Sequence, residues 1–367
     1  MTNAVTVTAP ANIAFLKYWG KKDPQAQIPA NDSLSMTLTQ ACTTTTVRVS
    51  DALDHQVVWQ GTPMARSSSA FHKAYAHLDR LEKAVGGTTK LAVWTANSFP
   101  ASCGIASSAS GIAALTVAAA AAWLGAASLE DLAAGGWPLH RLADAARLGS
   151  GSACRSLYPG IVQWSVTPIE PKEGGLKGAH QPPGQIVQTL FGCDHWSLAD
   201  TIVILDDAPK GVSSSAGHLR ATSSPQFPQR LQDLPARKQA MLAALAAKDL
   251  ARLGPLLEQE ALEIHGIMES SIPPLVYRRP KTHAFLAWLR QLRHTTGLQA
   301  YATIDAGPNV HVITHRGDQQ EFGTLLQSFP HAHQVLRDQI GAGVRFTSRP
   351  RSPGRGPRGC APGRLFF

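Results

Sequence analysis

The first sixty residues alternate between β-branched or apolar and polar positions. "AVTVTAP" (4–10) and "TTTTVRVS" (43–50) carry the two-residue period of half-buried strands, and "HQVVWQG" (55–61) reads as a hairpin partner to them. The period then changes. Phe71, Tyr75, Leu78, Leu81 and Val85 recur at helical spacing and stop at Gly86-Gly87, so residues 68–85 form a helix. "KLAVWTAN" (90–97) is a strand, followed by a Ser/Gly loop and an Ala-rich helix to about Leu124. An amphipathic helix over 138–148 ends at Gly149, and "YPGIVQWSV" (158–166) and "TIVILDD" (201–207) are strands. Between them, residues 168–185 are a Pro/Gly-rich surface loop. Residues 228–296 are mostly helical by period, and "QAYATIDAG" and "NVHVITH" form two late strands about a Gly-Pro turn.

Early strands, later helices and closing strands imply an α+β fold of two lobes with a cleft between them. The 367 residues suffice for a substantial core, and no internal repeat is present. The most apolar run, Ile112 to Ala127, is alanine flanked by Gly111 and Ser128, so it reads as a buried helix and not a membrane span. The N-terminus, "MTNAVTVTAPAN", lacks the basic-then-apolar order of a secretion signal. Five widely spaced cysteines with no CxxC pair indicate neither a zinc site nor a disulfide framework, so a reducing cytoplasm is expected.

Charge modifies this only at the end of the chain. More than half of the net +9 comes from Arg349, Arg351, Arg355, Arg358 and Arg364, in a Pro/Gly/Arg tail (346–367) without period or acid. The tail is expected to be disordered. It could give weak, salt-sensitive nucleic-acid binding, or be a frame-shifted end. The body is only mildly basic, which suits an anionic small substrate better than a nucleic acid.

Candidate chemistry concentrates in five short segments. "NSFPASCGIASSASG" (97–111) sits between a strand and a helix; its small residues and the helix start suit a phosphate, although the GKS/T ending of a P-loop is missing. On composition alone, phosphate binding and close packing are about level. "NIAFLKYWGKKD" (12–23) crowds Lys17, Tyr18, Trp19, Lys21 and Lys22 together. Arg155, in "SGSACRS", offers a flat fork for carboxylate or phosphate oxygens, or is a surface arginine after a turn. Asp305, in "TIDAGPN", follows an apolar strand and could accept a hydroxyl proton or cap a turn. Ser213 to Ser215 in "KGVSSSAG" open a helix. The fourteen histidines show no HExxH pattern, and His265 and Met268 read as packing.

"PASCGIASSAS" resembles the phosphate loop of the GHMP kinase superfamily. "APANIAFLKYWGKKD" with "IPANDSLSMTL", "GSGSACRSLYPGIVQW", "KGVSSSAGHLRATS" and "IDAGPNVHV" are similar, in order, to the diphosphomevalonate decarboxylase family over roughly residues 5–345. The resemblance implies a GHMP kinase-like fold, with a ribosomal-S5-like N-terminal ATP-binding lobe (1–185) and a ferredoxin-like C-terminal lobe (186–345). It implies ATP-dependent decarboxylation of (R)-5-diphosphomevalonate to isopentenyl diphosphate, through phosphorylation of the 3-hydroxyl. Asp305 would be the base, Arg155 would orient the carboxylate and Lys17 would serve the reacting centre. Tyr18, Trp19, Gly20, Lys21, Arg66, Ser150, Gly151, Ser152, Ala153, Cys154, Ser214 and Ser215 would bind substrate. Ser102, Gly104, Ala106, Ser107 and Ser108 would bind ATP, with Mg2+ riding on its phosphates and no metal ligand assigned. A homodimer without nucleic-acid or membrane partners is implied. Phosphomevalonate decarboxylase and mevalonate 3-kinase, of the same superfamily, are the alternatives.

Overall fold

The computed structural model describes residues 4–100, 107–166, 185–208 and 211–347. Its first lobe is built on an eight-stranded sheet. Arg345–Phe346, Val5–Leu16, Ser33–Ser50, Lys90–Asn97, Gln56–Trp59 and Thr62–Pro63 follow one another across it, while Ile161–Val166 pairs with the early part of Ser33–Ser50 and carries Gln185–Phe191 beyond. The 18-residue strand changes neighbour along its length. Residues 33–36 pair with Ile161–Val166 and residues 43–50 with Lys90–Asn97. Between these halves the pairing with Val5–Leu16 slips, at Pro10, which has no N–H to give to a ladder. The Asp338 carboxylate from the second lobe accepts the freed N–H groups of Thr39, Gln40 and Ala41 at 2.7, 2.9 and 2.7 Å.

One face of this sheet is covered by the helices Ser69–Val85, Ser107–Leu124 and Leu139–Gly149. The first is capped by the Ser68 hydroxyl and ends at Gly86 in the left-handed region. The Ser107–Leu124 helix has the length and hydropathy of a membrane span, yet 72% of it is buried against the sheet and its neighbours, so it is the central core helix expected.

The other face shares a core with the second lobe. Ile13, Phe15 and Met36 pack with Ile202, Met241 and Leu257. A four-stranded antiparallel sheet, in the order Tyr301–Thr303, Val310–His315, Leu198–Ile204, Gln334–Gln339, carries this lobe. Phe227–Ala247 and Leu250–Glu269 contribute to the shared core, and Pro280–Thr296 and Gln319–Leu325 to a further cluster around Phe285 and Phe322.

The α+β, two-lobed expectation holds. Gln56–Trp59, however, is not a hairpin partner of 43–50. It runs parallel to Lys90–Asn97 and antiparallel to Thr62–Pro63, because the helix Ser69–Val85 carries the chain back to insert Lys90–Asn97 between it and Ser33–Ser50. Nor do the sheets divide at 185/186. Gln185–Phe191 extends the first sheet, and Arg345–Phe346 rejoins it beside Val5–Leu16. The tail from 348 and most of the Pro/Gly-rich loop lie outside the described residues.

Candidate active site

Two strand ends converge on the cleft. Val5–Leu16 delivers Lys17, and the turn after Tyr301–Thr303 delivers Asp305. Lys17 Nζ donates to Asp305 Oδ1 at 2.6 Å, with the lysine side chain 5% and the carboxylate 22% accessible. Burial pushes the Asp305 carboxyl up, but Lys17, with help from His311 and Arg155, overrides it and holds the group below the ordinary carboxylate value. Asp305 is therefore an anion held ready to accept a proton. Its carbonyl accepts from Gly307 N at 2.7 Å and pairs with His265 Nε2 at 3.1 Å, which fixes the turn that aims the carboxylate. Burial drives the His265 pKa down to about 3, so its ring is neutral in ordinary buffers.

The main chain of Lys17 is clamped by charge. Its N–H donates to Glu260 Oε1 at 2.9 Å, and its carbonyl accepts from Arg230 Nη2 at 3.2 Å and Asn31 Nδ2 at 3.0 Å. Glu260 is fully buried between Arg230 and Arg237, each 2.5 Å from it, and Glu263 completes the cluster. Those two guanidiniums outweigh the desolvation of Glu260 and hold its pKa low. A buried ion cluster with every member paired favours one geometry strongly, and here that geometry places Lys17.

Arg155 comes from the 3-10 helix Gly151–Leu157 and is 3% exposed. Its Nε and Nη2 donate to Asn12 Oδ1 at 3.3 and 3.1 Å, and its Nη1 to Ser33 Oγ at 2.7 Å. Asn12 Nδ2 in turn donates to Ser156 Oγ at 2.8 Å and to the Ser152 carbonyl at 3.3 Å, which fixes its amide so that oxygen faces the guanidinium. Burial weakens the proton affinity of Arg155, and the nearby Asp305 opposes that effect. Ser150 Oγ donates to Ser108 Oγ at 3.3 Å, so the Ser-Gly-Ser-Arg motif touches the first turn of the core helix that Ser107 begins. Ala153 and Cys154 are buried behind the motif, and burial pushes the Cys154 thiol up to about 12, leaving it unreactive.

A second group lies beside the first. The Tyr18 ring sits 4.8 Å from that of Trp164, and Gly151 lies against it so closely that a Cβ there would come within 2.6 Å. Its hydroxyl is buried with no hydrogen-bond partner among the described residues, and burial raises its pKa, so a protonated O–H would suit an anionic oxygen. Trp19 is buried in a small core with Phe227, Met268 and Leu275. Gly20 has φ +82°, and any Cβ would stand 2.5 Å from Phe227. Lys21 is half-buried, and its pKa is lowered by burial and by Lys73, whose own is lowered by burial. Lys22 is exposed. Ser213 caps the helix Ser214–Arg220, leaving Ser214 half-buried and Ser215 exposed on its first turn.

Arg66 is the site residue that the structure does not bring in. Its side chain is 72% exposed and paired with Asp54 at 3.0 Å, with no described contact to Lys17, Arg155 or Asp305. Ser102, Gly104 and Ala106 lie outside the described residues. His265 is not mere packing, since it holds the Asp305 turn. Glu260 and His265 had a signal: both fall on the apolar stripe of Leu250–Glu269, where a polar side chain must have a partner. Lys73 had none, because it reads as one more lysine on the edge of an amphipathic helix.

Ser107 and Ser108 at a helix start suit nucleotide phosphates carrying magnesium. A described grouping with metal-ligand spacing, His55 with Asp79 and Glu82, does not fit a metal. His55 Nδ1 accepts the Leu91 N–H, so Nε2 holds the proton, and Lys90 already occupies Glu82.

A two-lobed fold with a serine-bearing helix start and a Lys–Asp pair in its cleft is that of the GHMP kinase class. Residues 9–169 match the diphosphomevalonate decarboxylase-like N-terminal domain, and residues 201–348 the mevalonate 5-diphosphate decarboxylase C-terminal domain. The chain belongs to the diphosphomevalonate decarboxylase family. It is similar to the diphosphomevalonate decarboxylases of Ganoderma lucidum (31% identity, 92% of this chain and 84% of that protein) and Schizosaccharomyces pombe (33% identity, 83% and 77%). Among solved structures it is similar to MDDEF in complex with MVAPP, AMPPCP and magnesium, at 29% identity and TM-score 0.81, covering 95% of this chain and 99% of that one.

Proposed function

We propose that this chain converts (R)-5-diphosphomevalonate and ATP into isopentenyl diphosphate, ADP, phosphate and CO2. The observation that carries the reading is the 2.6 Å Lys17–Asp305 pair, set with Arg155 in the cleft of a diphosphomevalonate decarboxylase fold. The related complex with MVAPP, AMPPCP and magnesium supports ATP and Mg2+ as the companions.

The chemistry follows from the site. Asp305, kept ionised, takes the proton of the 3-hydroxyl as its oxygen bonds to the γ-phosphorus and the bond to ADP breaks. Lys17 holds Asp305 in place, and its ammonium suits the charge of a transferring phosphoryl group. Magnesium, when bound, neutralises charge on the ATP phosphates. In the second step the C3–oxygen bond breaks with its electrons leaving on phosphate. The bond to the carboxylate carbon then supplies the new double bond, and CO2 departs. No side-chain base is needed there; the protein must hold both ends of the substrate and exclude water. Arg155, buried and braced by Asn12 and Ser33, suits the carboxylate. Tyr18, Lys21 and Lys73 suit a diphosphate better than a single phosphate, because each supplies a donor or charge for its oxygens.

The free Cys42, Cys154 and Cys193 support the further reading of a reducing, cytoplasmic setting, the mildly basic body supports an enzyme without nucleic-acid partners, and the family resemblance supports a homodimer without a membrane partner. The test is to supply the mono- and diphosphate substrates separately with ATP and to follow CO2. Preferential CO2 release from the diphosphate is expected. ADP formation without CO2 would identify a 3-kinase instead.

A further inference from the structure

We infer that His218 is a positioning residue that couples the two anion-binding segments, 18–21 and 213–215, and so sets affinity for the diphosphate end of the substrate. This rests on the function proposed above. His218 lies on the short helix Ser214–Arg220, whose first turn carries Ser214 and Ser215. Its ring lies 4.2 Å from that of Tyr18 and 4.4 Å from that of Trp19, tilted by 32° and 34°. Its Nδ1 accepts the Gly20 N–H at 3.2 Å. One imidazole from the second lobe thus touches three consecutive residues of the first.

The Gly20 N–H explains why the contact matters. The strand has ended, and at φ +82° this peptide is turned out of any ladder, so His218 supplies its acceptor. Accepting there commits Nδ1 and leaves the ring proton on Nε2. Burial, together with Lys21 and Arg155, keeps the ring neutral and preserves this arrangement. A protonated ring would have to surrender the Gly20 bond. His218 therefore acts as a fixed peg. With it in place, the Tyr18 hydroxyl and Lys21 hold their positions before substrate arrives, which lowers the cost of ordering them on binding.

Three substitutions separate this role from plain packing. His218→Asn keeps an acceptor near the place of Nδ1, His218→Gln moves its polar atom to the place of Nε2, and His218→Leu keeps bulk with neither. Loss of one buried backbone hydrogen bond and its preorganisation is expected to raise KM for 5-diphosphomevalonate about tenfold in the Leu and Gln variants. The kcat and the KM for ATP should stay within about twofold, and Asn should recover most of the loss. Titration calorimetry with inorganic diphosphate reads the same site without turnover, and should show a similar weakening in Leu and Gln. Equal behaviour of Asn and Gln, or unchanged diphosphate affinity in both, would overturn the inference. Wild-type binding of diphosphate that Gln weakens and Asn restores, without turnover of 5-diphosphomevalonate, would remove the proposed function and leave the role of His218 standing.

Discussion

Replacing Lys17 by Met tests how the Asp305 carboxylate is kept ready. The Nζ–Oδ1 separation is 2.6 Å. At an effective dielectric constant of ~20, Coulomb's law gives an attraction of about 6 kcal/mol, a ceiling because both ions have lost water. Opposite charges at such range typically move a carboxyl pKa by about 1–3 units, or about 1.4–4 kcal/mol. The sign follows from the opposing effects. In the wild type, burial raises the Asp305 pKa, and Lys17 with the weaker contributions of His311 and Arg155 brings it below the ordinary value. Without Lys17, burial prevails and the pKa rises above it. Methionine keeps most of the volume, so the Glu260 clamp on the main chain of residue 17 survives. The assay is kcat/KM for 5-diphosphomevalonate between pH 4 and 9. The acid limb, which reports protonation of the base, should move to higher pH, so activity lost at pH 5 exceeds that lost at pH 8. A uniform fall with the acid limb unmoved would refute the reasoning, and would place Lys17 on the phosphoryl group alone.

Glu260→Ala should destabilise the fold by about 3–5 kcal/mol in urea titration, since it strands Arg230 and Arg237 as buried cations, and should also lower kcat by freeing Lys17. Arg66→Ala should leave KM and kcat within about threefold, because a surface pair is worth about 1 kcal/mol at most, whereas Arg155→Lys should cost about a hundredfold in kcat/KM through loss of the flat fork braced by Asn12 and Ser33. Stability should be full above about pH 6.5 and fall toward pH 3, because His77 and His265 are buried neutral with pKa values of about 3; His77→Gln should flatten that decline in thermal melts.

Much of the fold was legible because single elements carried their own punctuation. The helix Ser69–Val85 begins at Ser68 and ends at Gly86, and Lys90–Asn97 has a strand's period and a strand's neighbours. What the period does not contain is pairing. The parallel partnership of Gln56–Trp59 with Lys90–Asn97, and the return of Arg345–Phe346 to the first strand, depend on where intervening helices take the chain. The site divided along similar lines. Lys17, Arg155 and Asp305 stand in short motifs with distinctive chemistry. The residues that position them act through space: Asn12 reaches across 143 residues to Arg155, and Glu260 across 243 to the backbone of Lys17. Arg66 is the reverse case, a charged residue that a motif suggests and that the fold leaves exposed and paired with Asp54.

The central claim is that the ionised Asp305 starts a phosphorylation that ends in decarboxylation. It is tested most directly by comparing wild type with Asp305→Asn, measuring ADP and CO2 from 5-diphosphomevalonate and MgATP in the same reaction, with substrate affinity determined separately. Wild type should release ADP and CO2 in equal amounts. Asp305→Asn should lose both by a factor of about a thousand or more while binding substrate within a few-fold, since an amide keeps the shape but cannot take the hydroxyl proton. A variant that still turns over within about tenfold of wild type, or a wild type that makes ADP without CO2, would contradict it.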